Sequence, residues 1–226
     1  MGASSKKQIV WRADILPRET KKALDFLSGQ KWLDKSFWYL AGGTALALQF
    51  GNCKSVDLDF FTSRKKFNNT ELLGKFLKNK NWKININKEN TIYGELFGAK
   101  ASFIAYPFFK PSQRFLRYGF INVIQPVDIA VMKIIAVSQG GRKRDFFDLY
   151  WCAKNIEPLN KTVKRLKTQY PLVAHDYHHI LKSLVYFRDA ESDPMPKIYF
   201  GASWREVKKF FMKEVPLIAG EIIKLN

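Results

Sequence analysis

The sequence predicts an α+β protein in which a sheet part comes first and a helical part follows. Short apolar segments that alternate or are rich in aromatic residues, as strands are, occur between residues 37 and 106. After residue 126 the apolar residues recur at helical spacing. Because 46% of the 226 residues are hydrophobic, the chain can bury a substantial core. We therefore expect a sheet domain over residues 1–122 and a helical domain over residues 123–226, with the active site in the cleft between them.

The composition is strongly basic. The chain contains 38 Lys and Arg against 20 Asp and Glu, which gives a formal net charge of +18. The basic residues are spread along the chain together with 19 Phe, 9 Tyr and 6 Trp, a distribution that favours nucleic acid over a membrane surface as the partner. A lysine-rich composition without any polyanionic partner is the alternative.

Cysteine usage and hydropathy indicate a cytoplasmic protein. Cys53 and Cys152 are far apart and lack the spacing of a disulfide framework or a zinc site. Residues 1–8 contain lysines but no apolar segment of the kind found in export signals. No uninterrupted apolar run reaches the roughly 18 residues that a membrane span needs. We expect a reducing compartment and no membrane partner.

Most of the functional argument comes from one stretch near the start of the predicted sheet. Residues 37–41 are apolar and aromatic-rich, and they end at Gly42 and Gly43, as a buried strand entering a tight turn does. Thr44 is expected to cap a short helix over residues 45–50. The free N–H groups and the positive end of that helix, behind residues without bulky side chains, predict a phosphate-binding turn. An ordinary glycine turn is the alternative.

The next predicted strand carries two acids. Alternation places Asp57 and Asp59 on one face, about 6.6 Å apart along the strand. Aspartate is depleted from strands and like charges repel, so the pair suggests a shared hard cation such as Mg²⁺ bridging to substrate phosphates. The alternative is a solvated strand face.

These residues resemble a known signature. Gly42-Gly43-Thr44 followed by Asp57-x-Asp59 resembles the motif of the DNA polymerase β-type nucleotidyltransferases, and the longer wording over residues 41–61 resembles the AbiEii/AbiGii toxin family. The resemblance implies a mixed β-sheet domain flanked by helices and an α-helical C-terminal domain. It also implies Mg²⁺-dependent transfer of a nucleotide from an NTP to an acceptor such as tRNA. The corresponding biology is a toxin–antitoxin or phage-abortive-infection system, with an antitoxin protein as a further partner.

The resemblance extends to two later segments, residues 128–133 and 144–150. By this resemblance, Lys133 would hold substrate phosphate, and Asp145 or Asp148 would orient the phosphate or the cations. An ion pair between Lys133 and one of these aspartates is the structural alternative.

Two further residues are assigned to the nucleotide site. Arg64 lies in a basic loop over residues 62–67 that could reach a triphosphate or an RNA backbone, unless the loop is simply solvated. Ser55, just before the paired acids, completes the predicted nucleotide-binding set.

The chain departs from the superfamily pattern at two positions. Ser102 stands where a third acid is expected, so Glu95 on the preceding strand is considered as a substitute. Gln139 stands where the family often has Arg, with Arg142 and Arg144 as nearby replacements. These departures keep open a catalytically inactive nucleotide- or RNA-binding module, and the basic surface keeps open a protein-interaction subunit.

The remaining elements follow from apolar periodicity and breaker residues. Helices are predicted over residues 18–27, 69–80, 126–137 and 143–154, and strands over residues 82–87, 91–97 and 99–106. Residues 108–120 are basic and contain proline, which indicates a connection between the two domains. Ser203 and Glu206 have the spacing of a capping box that opens a last helix, and Pro216 is expected to interrupt it.

Overall fold

A computed structural model describes residues 9–77 and 79–223, which form a mixed sheet with helices around it. The expectation for residues 1–8 lies outside the described residues. The strands are β1 (Tyr39–Ala41), β2 (Leu58–Thr62), β3 (Trp82–Lys88), β4 (Thr91–Leu96), β5 (Ala99–Ala105), β6 (Leu116–Tyr118) and β7 (Ile121–Val123). Their order in the sheet is β3-β4-β5-β2-β1-β7-β6. The predicted α+β class with a mixed sheet is confirmed.

The helices lie mostly after the sheet in the chain. Over the same residues they are α1 (Arg18–Ser28), α2 (Gly42–Phe50), α3 (Asn69–Gly74), α4 (Pro126–Ser138), α5 (Lys143–Asn155), α6 (Leu159–Gln169), α7 (Tyr177–Leu184), α8 (Arg188–Glu191) and α9 (Trp204–Ile223). Within the described part of the chain, no helix combines the length and apolar character needed to cross a membrane.

Strand β2 lies at the centre of the sheet and positions the paired acids. It pairs antiparallel with β1 and parallel with β5. Along β2, buried Leu58, Phe60 and Thr62 alternate with less buried residues, so one face packs into the core. Phe60 stacks on Phe103 of β5 with ring centroids 5.0 Å apart. The opposite face of β2 therefore carries Asp59.

The predicted connection over residues 108–120 was wrong, because part of it folds into the sheet. Strands β6 and β7 form an antiparallel hairpin, and β7 pairs parallel with β1. The hairpin turns at Gly119, which has φ +56°, a left-handed conformation that favours glycine. Strands of three residues are too short to show periodicity in the sequence. The predicted domain boundary at residue 122 falls inside β7, and the division into two domains stays a prediction.

Three local expectations were also wrong. Helix α2 begins at Gly42 with Ala41 as its N-cap, so Thr44 lies inside the first turn rather than capping it. Helix α3 ends at Gly74 instead of near residue 80, because glycine is a weak helix former. Pro216 lies within α9. The carbonyl that a helical proline leaves unpaired would be that of Met212, a residue on the exposed side of α9.

Candidate active site

The glycine turn lies directly against the acid strand. Gly42 has φ +69°, and a Cβ at this position would lie 3.2 Å from Oδ2 of Asp59. Only glycine combines this backbone conformation with such a close approach. Within the described residues, no side chain caps the start of α2. The first N–H groups of the helix and its positive end therefore lie beside Asp59.

Thr44 and Ser55 lie beneath this turn and fix the approach to β2. The Thr44 hydroxyl is 2.8 Å from the Ser55 hydroxyl and also donates to the backbone carbonyl of Asp57. Both side chains are buried. A Cβ on Gly43 would lie 3.1 Å from Oγ of Ser55. Thr44 and Ser55 thus hold the segment that precedes β2 against the start of α2.

Asp57 and Asp59 line one cleft of about 310 Å³. Asp59 lies in β2 opposite Ser102 of β5, whose hydroxyl donates a 2.8 Å hydrogen bond to Oδ1 of Asp59. Burial raises the pKa of Asp59 above its ordinary value, the Ser102 hydrogen bond opposes that rise, and the charge of Asp57 adds to it. A carboxylate in this environment gains from a nearby cation.

Arg144, the second residue of α5, supplies a cation on the other wall of the cleft. Its two terminal guanidinium nitrogens each lie 3.2 Å from Oδ2 of Asp57. Burial acts to lower the pKa of Arg144, but the charges of Asp57 and Asp145 more than offset it, so the pKa is raised. The Arg144 side chain is 40% exposed and so remains accessible from the cleft.

Lys133 forms the ion pairs that the sequence left as an alternative. Its Nζ lies 2.6 Å from Oδ1 of Asp145 and 2.8 Å from Oδ2 of Asp148. Asn52 donates to the other oxygen of Asp148 at 3.1 Å. A Cβ on Gly43 would lie 3.4 Å from Oδ2 of Asp148, so this network underlies the glycine turn.

The Lys133 network is charged in the folded protein. Burial acts to lower the pKa of Lys133, but the charges of Asp145 and Asp148 raise it above its ordinary value. Burial acts to raise the pKa of Asp145, but the charge of Lys133 and hydrogen bonds lower it overall. The side chain of Lys133 is 7% exposed, so its ammonium group is enclosed between carboxylates rather than presented to the cleft.

Two of the residues considered from sequence lie away from the acids. Arg64 follows the C-terminal end of β2, whereas the acids lie at its N-terminal end, so the structure does not bring Arg64 to the cleft. Glu95 pairs with Lys100 of β5, which places it two strands from β2, about 10 Å across the sheet. The Glu95 carboxylate accepts a hydrogen bond from Asn85.

Four cleft residues were not predicted as such from the sequence. Arg144 was considered only as a replacement for an arginine at position 139, and Asn85, Tyr93 and Lys100 were not assigned to the site. The other three line the same cleft as Asp57. Alternation along β5 places Lys100 on the face of Ser102, which is a signal that the sequence already contained. Asn85 and Tyr93 needed the order of the strands.

The fold is that of the nucleotidyltransferases. JHP933 from Helicobacter pylori shares it with a TM-score of 0.54 and 21% identity, over 93% of this chain and 96% of that chain. MenT4, a nucleotidyltransferase toxin from Mycobacterium tuberculosis, shares it with a TM-score of 0.52 and 17% identity, over 86% of this chain and 84% of that chain.

Sequence comparison identifies the family. The family model described as "Nucleotidyl transferase AbiEii toxin, Type IV TA system" matches residues 101–220, more than half of the chain. The protein aq_aa25 of Aquifex aeolicus is 35% identical over 182 residues, which cover 79% of this chain and 86% of that protein. The chain belongs to the AbiEii nucleotidyl transferase toxin family. The matched segment includes Lys133, Asp145 and Asp148 and begins after the glycine turn and the paired acids.

Proposed function

We propose that this protein transfers a nucleotide from an NTP to an RNA acceptor, with tRNA as the acceptor to test first. It acts with Mg²⁺ in the cytoplasm, as the toxin of a toxin–antitoxin or abortive-infection system with an antitoxin partner. One observation carries the proposal: Asp57 and Asp59 line one cleft, and the uncapped start of α2 lies against Asp59, where a Cβ on Gly42 would lie 3.2 Å from Oδ2 of Asp59. This arrangement joins a site for a divalent cation to a site for phosphate.

The residues present fit a magnesium ion. Asp57 and Asp59 offer carboxylate oxygens, which Mg²⁺ prefers, and burial makes an uncompensated charge on Asp59 unfavourable. Among residues 9–77 and 79–223, no group of three or more His, Cys, Asp or Glu side chains could hold a metal. Mg²⁺ usually takes its remaining ligands from water and nucleotide phosphates. When bound, the ion would stabilise negative charge on the phosphates.

Different groups of the chain have different roles in binding the triphosphate. The N–H groups of Gly42, Gly43 and Thr44 bind phosphate oxygens at the start of α2. Arg144 is exposed to the cleft and neutralises charge that develops on the transferred group. Lys133 positions Asp145 and Asp148 beneath the turn, because it is enclosed by both carboxylates.

A second candidate function is supported by Ser102. It occupies the position opposite Asp59 and donates a hydrogen bond, and a hydroxyl cannot take up the acceptor's proton as a carboxylate would. The same cleft could then serve a nucleotide- or RNA-binding module without catalysis. That function predicts NTP binding by calorimetry with no transfer to any RNA.

The proposal is tested by incubating the protein with tRNA, Mg²⁺ and each labelled NTP in turn. We expect label in the RNA from at least one NTP and none after Asp57→Ala or Asp59→Ala. Asp189→Ala, which removes an exposed carboxylate from α8, is the matched control and should transfer like the wild type. Label incorporation that survives loss of both acids would overturn the site.

A further inference from the structure

A second pocket, distinct from the cleft, combines aromatic and basic side chains. It has a volume of about 280 Å³ and lies between the start of β1, the loop after β2 and helix α3. We call it the aromatic–basic pocket and define it by Trp32, Phe37, Trp38, Arg64, Phe67 and Lys75. Nothing in the proposed chemistry of the cleft uses these residues.

The aromatic–basic pocket lies on the face of the sheet opposite the acids. Trp38 packs edge-on against Phe103, with ring centroids 5.2 Å apart, and Phe103 stacks on Phe60. Phe60 and Asp59 are consecutive in β2, so their side chains point to opposite faces. A ligand in this pocket is therefore not the nucleotide whose phosphates lie at Asp59.

A stacked pair forms the rim of the pocket. The guanidinium carbon of Arg64 lies 3.3 Å from the ring centroid of Phe37, and Phe37 is 58% exposed. Within the described residues, the Arg64 side chain makes no hydrogen bond or ion pair, and its backbone N–H donates to the Thr62 hydroxyl. The guanidinium is held in place by stacking while its N–H donors remain free for an anion.

The rest of the pocket adds positive charge. Lys65 and Lys66 are exposed next to Arg64. Lys75 reaches Glu71 only at 3.8 Å, a long and exposed pair that contributes little.

We infer that the aromatic–basic pocket binds an unpaired nucleobase of an RNA chain, as a contact site separate from the catalytic cleft. The base stacks against Phe37, and Arg64 and Lys75 bind the adjoining phosphates. This inference rests on the RNA acceptor of the proposed function. Single-stranded RNA is recognised by this combination of aromatic faces with a basic groove.

An acidic protein is the other polyanion that could meet the net charge of +18. Its carboxylates would bind the cations at the rim, but it would gain little binding energy from the exposed Phe37 ring that stacks on Arg64. RNA uses both, since every base has a face that stacks. The pocket therefore favours RNA.

The test measures binding of a short fluorescein-labelled single-stranded RNA by anisotropy at several salt concentrations, without NTP. Phe37→Ala should raise the Kd about 5- to 100-fold through lost stacking. Arg64→Ala with Lys75→Ala should lower the slope of log K against log salt by about 1.4, at about 0.7 per lost phosphate contact. The matched control, Lys209→Ala with Lys213→Ala, removes two exposed charges from α9 and should keep the wild-type slope.

Three results would overturn the inference. The first is an unchanged Kd for Phe37→Ala, and the second is competition by polyglutamate as strong as competition by unlabelled RNA. The third is an equal slope of log K against log salt for the Arg64/Lys75 double variant and the Lys209/Lys213 double variant. Circular dichroism and the thermal midpoint show whether Phe37→Ala is folded, and Phe37→Trp should restore binding because it restores a stacking face. Failure of the proposed function looks different, because RNA binding would still depend on Phe37 while no labelled nucleotide is transferred.

Discussion

Arg144 and Asp57 are 87 positions apart in the chain, yet both terminal nitrogens of the guanidinium lie 3.2 Å from the same carboxylate oxygen. The contact joins the start of α5 to the residue that precedes β2, across the candidate active site. It places a cation beside the paired acids before any ligand is bound. Under the proposed function, Arg144 would exchange this carboxylate for a substrate phosphate.

Arg144→Ala is expected to lower nucleotide transfer by at least about tenfold, because one cationic donor to the reacting phosphates is lost. The free energy of unfolding should change by no more than about 1 kcal/mol, since the Arg144–Asp57 pair is partly exposed. Steady-state transfer rates and urea unfolding measure the two effects. Arg142→Ala is the control, because Arg142 forms a 3.2 Å pair with Asp193 at the same helix start. Equal losses of activity in both variants would contradict the assignment.

Lys133→Met is expected to reduce the free energy of unfolding by about 3–5 kcal/mol, because it leaves Asp145 and Asp148 without their buried counter-charge. Adding Asp145→Asn and Asp148→Asn to that variant should restore much of the loss. Lys21→Met, which breaks an exposed pair with Asp25, should cost at most about 1 kcal/mol. Urea unfolding measures all three, and comparable losses for the two lysine variants would argue against a buried network.

The Lys133 network also predicts how stability depends on pH. Burial opposes ionisation of Asp145, but Lys133 holds the pKa of this carboxyl below its ordinary value. A carboxyl whose pKa is lower in the folded than in the unfolded state stabilises the fold at pH values above its unfolded-state pKa of about 3.9. This contribution is lost as the pH falls through the folded-state pKa. The difference in unfolding free energy between wild type and Asp145→Asn should stay constant from about pH 7 to 5 and narrow below about pH 4. A difference that widens on acidification would be inconsistent with this sign.

Gly42→Ala and Gly51→Ala separate backbone strain from disturbance of the site. Both glycines have positive φ, +69° and +66°, so each substitution should cost roughly 1–2 kcal/mol of stability. Only the Cβ at Gly42 meets Asp59, whereas the Cβ at Gly51 meets the flexible side chain of Arg12. We expect similar losses in urea unfolding but loss of NTP binding in Gly42→Ala alone. NTP binding that is retained in Gly42→Ala would remove the glycine turn from the site.

Much of this architecture follows from local patterns in the sequence. The periodic segments that became β3, β4, β5, α4 and α5 were predicted within a few residues, since each is long enough for its apolar period to show. The hairpin β6–β7 was missed because strands of three residues carry almost no periodic signal. Pro216 was expected to break α9, but its effect depends on whether water reaches the carbonyl one turn earlier.

The candidate site was predictable only in part, because some of its residues are distant in the sequence and come together only in the folded structure. The glycine turn and Asp57 and Asp59 are close in sequence, so their proximity could be expected. The partner of Asp57 comes from α5, and sequence alone could not choose among Gln139, Arg142 and Arg144. Arg64 is only five residues after Asp59, yet it lies beyond the other end of β2. The direction of β2, rather than the distance along the chain, therefore determines that Arg64 lies away from the acids.

The most direct measurement is calorimetric titration of NTP with and without Mg²⁺ into wild type, Asp57→Asn, Asp59→Asn and the control Asp189→Asn. If the paired acids hold a metal–nucleotide complex, wild type and Asp189→Asn bind NTP in a Mg²⁺-dependent manner. The other two variants should then bind at least about 10-fold more weakly, because even the loss of a residue that supports a metal ligand typically lowers metal affinity about 10- to 100-fold. NTP binding of equal strength in all four proteins, or binding that does not depend on Mg²⁺, would contradict the account.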